Sequence, residues 1–238
     1  MGNYVKTGLT LMAFTLVVGV LLAGIYVLTK APIEKADLSN QLRAMKTVLT
    51  DPDTGQYIVP EPEIPTSTAQ LQKLVWRKTD KETMFSSSDW KGLIYNPIYH
   101  ILSNEGKEIA IVTGAASGYG GNVKILASFI KEGDGFDLFR LEVMDYSQET
   151  PGLGAKISEQ RVKERFFDFS SDSLIKGLKV DKDAGIGSLS SPEAIIGSKK
   201  DGVVYVSDLM TGATITPRAV ANAINTMTEY LNAEWGVE

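Results

Sequence analysis

Ile94-Tyr95-Asn96-Pro97-Ile98-Tyr99-His100-Ile101-Leu102, the turn cluster Asn104-Glu105-Gly106, and Glu108-Ile109-Ala110-Ile111-Val112 follow one another in the chain. Two runs rich in β-branched and aromatic side chains, separated by turn-forming residues, predict a hairpin. The pattern repeats downstream: Val123 to Lys131 and Leu138 to Met144 are again strand-like, with Gly133-Asp134-Gly135 between them. A glycine-rich segment from Thr113 to Asn122 joins the two pairs. Strands this close in sequence favour an antiparallel meander.

C-terminal to the meander the period changes. Ser158 to Phe167 places Val162, Phe166 and Phe167 on one side of a helix, with Ser158 and Glu159 as start signals. A loop-rich region runs from Asp168 to Ser191, and Ser191-Pro192-Glu193 can open a further helical turn. Val203 to Val206 reads as a short strand leading into a last helix from Pro217 to Leu231. Val220, Ala223, Ile224, Met227 and Leu231 form one apolar stripe on that helix, suited to packing against a sheet. The fold class is α+β: an antiparallel sheet with packed helices.

Upstream, Gly8 to Thr29 carries no charge and is almost wholly apolar. About 20 residues at 1.5 Å each span about 30 Å, enough to cross a bilayer core. The run exceeds the apolar segment of a secretory signal, and Pro32 follows the small-residue candidate Ala31 where cleavage would fall, so a retained single-pass transmembrane anchor is expected. Lys6 on one side and Lys30 and Lys35 on the other leave the charge rule for orientation balanced. Leu38, Leu42, Met45, Val48 and Leu49 continue a helical spacing, Pro60 to Pro65 reads as an extended connector, and a short helix is expected over Ala69 to Val75. The expected division is an anchor over residues 1–30, a helical and extended connecting region over 31–92 and a globular domain over 93–238.

With 238 residues the chain can bury one sizeable core beside the anchor. A net charge of −5 offers no broad basic surface, so no nucleic-acid partner is expected. There is no cysteine, which excludes disulfides, thiolate-bound iron–sulfur clusters and dithiol redox chemistry. The single histidine, His100, lies inside an alternating strand run and reads as an ordinary strand residue. No metal site and no catalytic residue of the chain's own are expected.

Three short stretches are richer in chemistry. Gly118-Tyr119-Gly120-Gly121 sits between two strands; it lacks dinucleotide-fingerprint spacing and precedes a strand, so by itself it reads as a hairpin loop whose backbone a flat ligand could approach. In Glu149-Thr150-Pro151-Gly152-Leu153-Gly154 the Pro-Gly pair suits a tight type II turn. Asp208-Leu209-Met210-Thr211-Gly212-Ala213-Thr214-Ile215-Thr216 lies at a strand-to-helix turn, where Thr216 and Pro217 look like an N-cap and first helical residue. One reading of Thr-Gly-Ala-Thr is a turn and a cap alone. It can also present a hydroxyl at a helix start, where an attached phosphate meets free N–H groups.

The third stretch resembles the flavinylation motif Asp-x-x-[Ser/Thr]-Gly-Ala-Thr of the FMN-binding domain family, in which the last threonine carries FMN through a phosphoester. The second matches the family's Glu-Thr-Pro-Gly-Leu-Gly without a gap, and the first resembles its Gly-Tyr-x-Gly segment. The continuation Thr214-Ile215-Thr216-Pro217-Arg218-Ala219-Val220 looks most like the RnfG component of Rnf-type ion-translocating electron-transport complexes, a relative of the flavin-bearing C component of the sodium-translocating NADH:quinone reductase. Departures are Thr211 and Pro217, each where serine is common, and Ser147, where a histidine often stands.

The resemblance implies covalent FMN on Thr214, with Thr211, Gly212, Ala213, Glu149, Thr150, Gly152, Leu153, Gly118, Tyr119 and Gly120 forming its surroundings. It implies a cytoplasmic-membrane protein whose globular domain lies on the extracytoplasmic side, maturation by a separate FMN transferase, and other redox subunits as partners. The implied activity is electron transfer within a complex that couples ferredoxin and NAD to ion translocation. The corresponding component of the quinone reductase and an anchored binding module without cofactor are the alternatives.

Overall fold

A computed structural model describes residues 2–236. It opens with a single long helix, α1 (Gly2–Val48), which contains Pro32 without ending there. The composition change after Lys30 therefore does not interrupt the helical backbone. The side chains from Leu9 to Leu28 are exposed, and among the described residues this is the one helix long and apolar enough to cross a membrane. The chain clusters into two compact units, one ending at Gln41 and one beginning at Leu42.

In the second unit Ser67 caps α2 (Thr68–Lys73) by accepting from the Gln70 N–H. The helix stops before Val75, which instead opens β1 (Val75–Arg77). Within the stretch read as an extended connector, Glu61–Glu63 form a 3-10 turn. There follow β2 (Thr83–Ser86), β3 (Gly92–Leu102), β4 (Glu108–Ser117), β5 (Asn122–Glu132) and β6 (Gly135–Asp145). All pairings are antiparallel, in the order β1-β3-β4-β5-β6 with β2 also against β3. The expected meander is present, and β4 runs five residues past Val112, pairing Thr113 to Ser117 with Leu126 to Asn122. Small residues permit this: a Cβ on Gly114 would sit 2.7 Å from the Met227 methyl of the overlying helix.

The C-terminal third winds round the sheet in short pieces: α3 (Gln160–Lys163), α4 (Ser171–Ile175), β7 (Lys179–Val180), α5 (Pro192–Ser198), β8 (Val203–Val204) and α6 (Ile215–Trp235). The helix expected over Ser158 to Phe167 is broken, because Glu159 is extended (φ −67°, ψ 137°) and the flanks are 3-10 turns. The strand expected over Val203 to Val206 is two residues long and pairs in parallel with β7, outside the main sheet. Ser191 does cap a helical turn, accepting from the Ala194 N–H.

Helix α6 buries Val220, Ala223, Ile224, Met227 and Leu231, the stripe anticipated from its periodicity, with Val112, Ala127, Phe129 and Leu141 in the same core. Fully burying the valine, isoleucine, leucine, methionine and phenylalanine side chains contributes about 1.5–3 kcal/mol each. The opposite face of the sheet is covered by the last turn of α1 and the chain that follows it: the Ser128 hydroxyl donates to the Val48 carbonyl at 2.7 Å, and Arg140 Nη1 to the Thr50 carbonyl at 2.5 Å. Buried Asn225 fastens α6 to the segment before β7, accepting from the Leu178 N–H at 2.7 Å and donating to its carbonyl at 2.9 Å. His100 sits on β3 as expected of a strand residue, 3.3 Å from Glu108.

Candidate functional site

The three chemistry-bearing stretches, far apart in sequence, meet at one end of the sheet. The β4–β5 connection is a tight hairpin closed by the Gly118 N–H donating to the Gly121 carbonyl at 2.7 Å, with Tyr119 at its tip 70% exposed. After β6, Thr150-Pro151-Gly152-Leu153 forms the expected turn, with the Leu153 N–H donating to the Thr150 carbonyl at 3.2 Å and Gly152 at φ +74°. Before α6, the Ala213 N–H donates to the Met210 carbonyl at 3.1 Å, with Gly212 at φ +87°. Both glycines occupy the left-handed region that side chains disfavour.

Glu149 joins the three. Its Oε1 accepts from the Tyr119 backbone N–H at 2.8 Å, and its Oε2 accepts from the Thr216 hydroxyl. The carboxylate is only 5% exposed and Thr216 only 2%. A Cβ on Gly118 would run into Oε1, and one on Gly154 would meet both Oε2 and Thr216 Oγ1. Gly120 and Gly121 are similarly crowded by Gln148.

Thr216 is therefore not the helix cap that its position before proline suggests. The N-cap is Thr214 (φ −100°, ψ −33°), which makes no side-chain capping bond, and its carbonyl accepts from the Arg218 N–H at 3.2 Å. The three hydroxyls of this segment are thus distinguished. Thr211 donates to the Ser207 carbonyl at 3.1 Å, Thr216 is committed to Glu149, and Thr214 is left lining a cleft.

That cleft, about 290 Å³, is lined by Tyr119, Thr150, Leu153, Gly154, Gly212, Ala213, Thr214, Ile215 and Thr216. Of the residues singled out from the sequence, Tyr119, Thr150, Leu153, Gly212, Ala213 and Thr214 line it directly. Gly118, Gly120, Gly152 and Thr211 belong to the loops that carry that lining, and Glu149 lies buried where those loops meet. Ile215 and the Glu149 partnership of Thr216 were not anticipated; a contact across 67 residues leaves no local trace in the sequence. A larger hollow of about 390 Å³, between the 51–58 loop and the β3–β4 turn, contains none of these residues.

Nearby charges are paired. Asp208 accepts from Arg165 Nη2 at 2.7 Å. Arg218, in the first turn of α6, donates to Asp183 through Nε at 2.6 Å and Nη2 at 2.5 Å. This pairing holds the Asp183 carboxyl below the usual carboxylate range and raises the guanidinium of Arg218. Among the described residues no three His, Cys, Asp or Glu groups are placed to hold a metal ion.

The donor set suits an aromatic ligand that ends in a phosphate. Leu153, Ile215 and the Tyr119 ring offer apolar surface, turn backbone lies open at Gly152 and Gly212, and a hydroxyl stands at the start of a 21-residue helix. The profile of the FMN-binding domain matches residues 118–229, the span containing all three loops, and that of the RnfG N-terminal region matches residues 2–48. The G component of an ion-translocating oxidoreductase complex from Erwinia tasmaniensis is 30% identical over 231 residues, covering 95% of this chain and 89% of that protein. The chain belongs to the RnfG family of ion-translocating oxidoreductase complexes. The family protein of Shewanella piezotolerans is 38% identical over 137 residues, an alignment that spans 57% of this chain and 55% of that protein. A crystal structure described as an RnfG subunit of an electron transport complex from Thermotoga maritima is 36% identical, with a TM-score of 0.61, covering 81% of this chain and 96% of that one. That likeness bears out the α+β class.

Proposed function

We propose that this RnfG-family protein carries FMN bound through a phosphoester to Thr214 and transfers electrons within a membrane-bound, ion-translocating oxidoreductase. The observation that carries the reading is the state of the three threonines. Thr211 and Thr216 have spent their hydroxyl hydrogens, while Thr214, at the N-terminus of α6, makes no side-chain capping bond and lines the cleft. When bound, the flavin supplies the redox chemistry, and the protein supplies position and electrostatics. The Ile215 and Thr216 N–H groups, which open α6 ahead of Pro217 and lack intrahelical partners, are suited to receive the phosphate oxygens, and the positive end of the helix dipole favours the charge. Thr150, Leu153 and Tyr119 bound the space left for the ring.

A tether holds a ligand at an effective concentration of about millimolar or more. A non-covalent micromolar site, worth about −8 kcal/mol, would empty wherever free ligand is scarce. The tether thus fits a domain on the extracytoplasmic side of the membrane, anchored by the apolar part of α1. The finer reading includes loading by an FMN transferase, other redox subunits as partners, and coupling of electron flow between ferredoxin and NAD to ion movement.

The test is intact mass of the full-length chain purified from its native membrane, beside Thr214→Ala. A gain of one FMN less water, absent in the variant, is the expected result. An unmodified wild type from cells shown to contain the transferase overturns it.

A further inference from the structure

We propose that Glu149 is a positioning residue: its buried carboxylate docks the glycine hairpin and the start of α6 against each other, and so sets where the cleft wall stands relative to Thr214. The inference rests on the proposed flavin site and deepens it, since resemblance alone places Glu149 among residues that touch the cofactor. The geometry gives it another task. Glu149 is 5% exposed, and its two oxygens are turned to protein donors, the Tyr119 N–H at 2.8 Å and the Thr216 hydroxyl. Both donors belong to residues that line the cleft. A carboxylate is an acceptor at both oxygens, so it satisfies two converging donors without conflict. Gly118 and Gly154 lack side chains where the carboxylate needs the room.

Charge is the second consequence. A fixed negative group just behind residues that line a flavin site disfavours added electron density there, because the interaction is only weakly screened in a buried setting. Glutamine at this position keeps the shape, since its oxygen can accept from Tyr119 and its amide can donate to the Thr216 oxygen, while the charge is removed.

The experiment uses the full-length chain in detergent, with Glu149→Gln, Glu149→Ala, Thr216→Val and Thr216→Ser. Amide hydrogen exchange of the 118–122 hairpin is followed in unloaded protein. Intact mass, visible circular dichroism and midpoint potential are followed after a transferase has moved FMN from FAD to the protein with release of AMP. The expected results are exchange at Tyr119 about tenfold faster in Glu149→Ala, as befits loss of a charge-assisted bond, and altered flavin dichroism in Glu149→Ala and Thr216→Val, with Thr216→Ser restoring the wild-type signal. Glu149→Gln keeps slow exchange and shifts the potential upward. Wild-type exchange and dichroism in Glu149→Ala overturn the positioning role. Should that variant not fold, an unchanged dichroism in Thr216→Val together with an unshifted potential in Glu149→Gln does the same. A wild type that gains no mass defeats the flavin reading, while exchange at Tyr119 still decides whether Glu149 holds the two loops together.

Discussion

The Thr216 hydroxyl donates to Glu149 Oε2 across 67 residues of sequence, joining the first turn of α6 to the loop after β6. Thr216→Val keeps the side-chain shape and removes the donor, leaving a buried carboxylate oxygen short of a partner. The expected cost is about 1.5–3 kcal/mol, the range for a hydrogen bond to a charged group. Urea unfolding of Thr216→Val beside Thr216→Ser checks this, and equal midpoints for the two would contradict it.

The glycines around that contact separate by mechanism. Gly118→Ala and Gly154→Ala push a methyl group into the Glu149 carboxylate, and overpacking of this kind costs about 1–3 kcal/mol. Gly152→Ala meets no atom within 4 Å, but φ +74° is strained for alanine, so a smaller loss of about 1 kcal/mol is expected. Thermal denaturation of the three variants should rank Gly152→Ala as the mildest.

Thr214→Ala is expected to leave stability within about 0.5 kcal/mol, because Thr214 makes no capping bond. Ser191→Ala removes a true cap, in which Ser191 accepts from the Ala194 N–H at 3.2 Å, and should cost about 1 kcal/mol. Denaturant midpoints of unloaded protein decide; a large loss in Thr214→Ala would mean the residue supports the fold.

Asn225→Leu strips both partners from the Leu178 backbone inside the core, and an expected loss of about 2–4 kcal/mol follows from leaving that N–H and carbonyl unpaired. An unfolding midpoint close to that of the wild type would show that the segment can find other partners.

Acid sensitivity should carry the mark of Asp183. Arg218 lowers its pKa in the folded protein, so the pair adds stability that is present above the unfolded value of about 3.9 and lost as pH falls through the lower folded value. The wild type should therefore lose more stability on acidification than Asp183→Asn. Both groups are partly exposed, which limits the difference to less than about 1 kcal/mol. Parallel unfolding curves from pH 6 down to pH 3 test the sign.

Features carried by local pattern were readable from the chain. The strands of the meander declare themselves through β-branched runs, and the stripe of α6 through its period, because each depends on neighbours close in sequence. Features set by distant contacts were not. Thr216 before Pro217 has every local mark of a cap, yet its hydroxyl answers to Glu149. The Ser158–Phe167 periodicity is genuine: Val162, Phe166 and Phe167 are all buried, but the chain reaches those positions through 3-10 turns on either side of a four-residue helix. In β4 the run Thr113-Gly114-Ala115-Ala116 looks like loop and is strand, because its small residues make room for Met227 above.

The crowding at Gly118, Gly120, Gly121 and Gly154 bears on how the site responds to a change of charge. Glycine in a binding loop is commonly taken as a hinge, but here each absent side chain is a space already filled by Glu149, Gln148 or Thr216. A wall built this way has little room to relax when an electron arrives or leaves. For a carrier whose task is to accept and release electrons without rearranging, such stiffness keeps the reorganisation accompanying each transfer small.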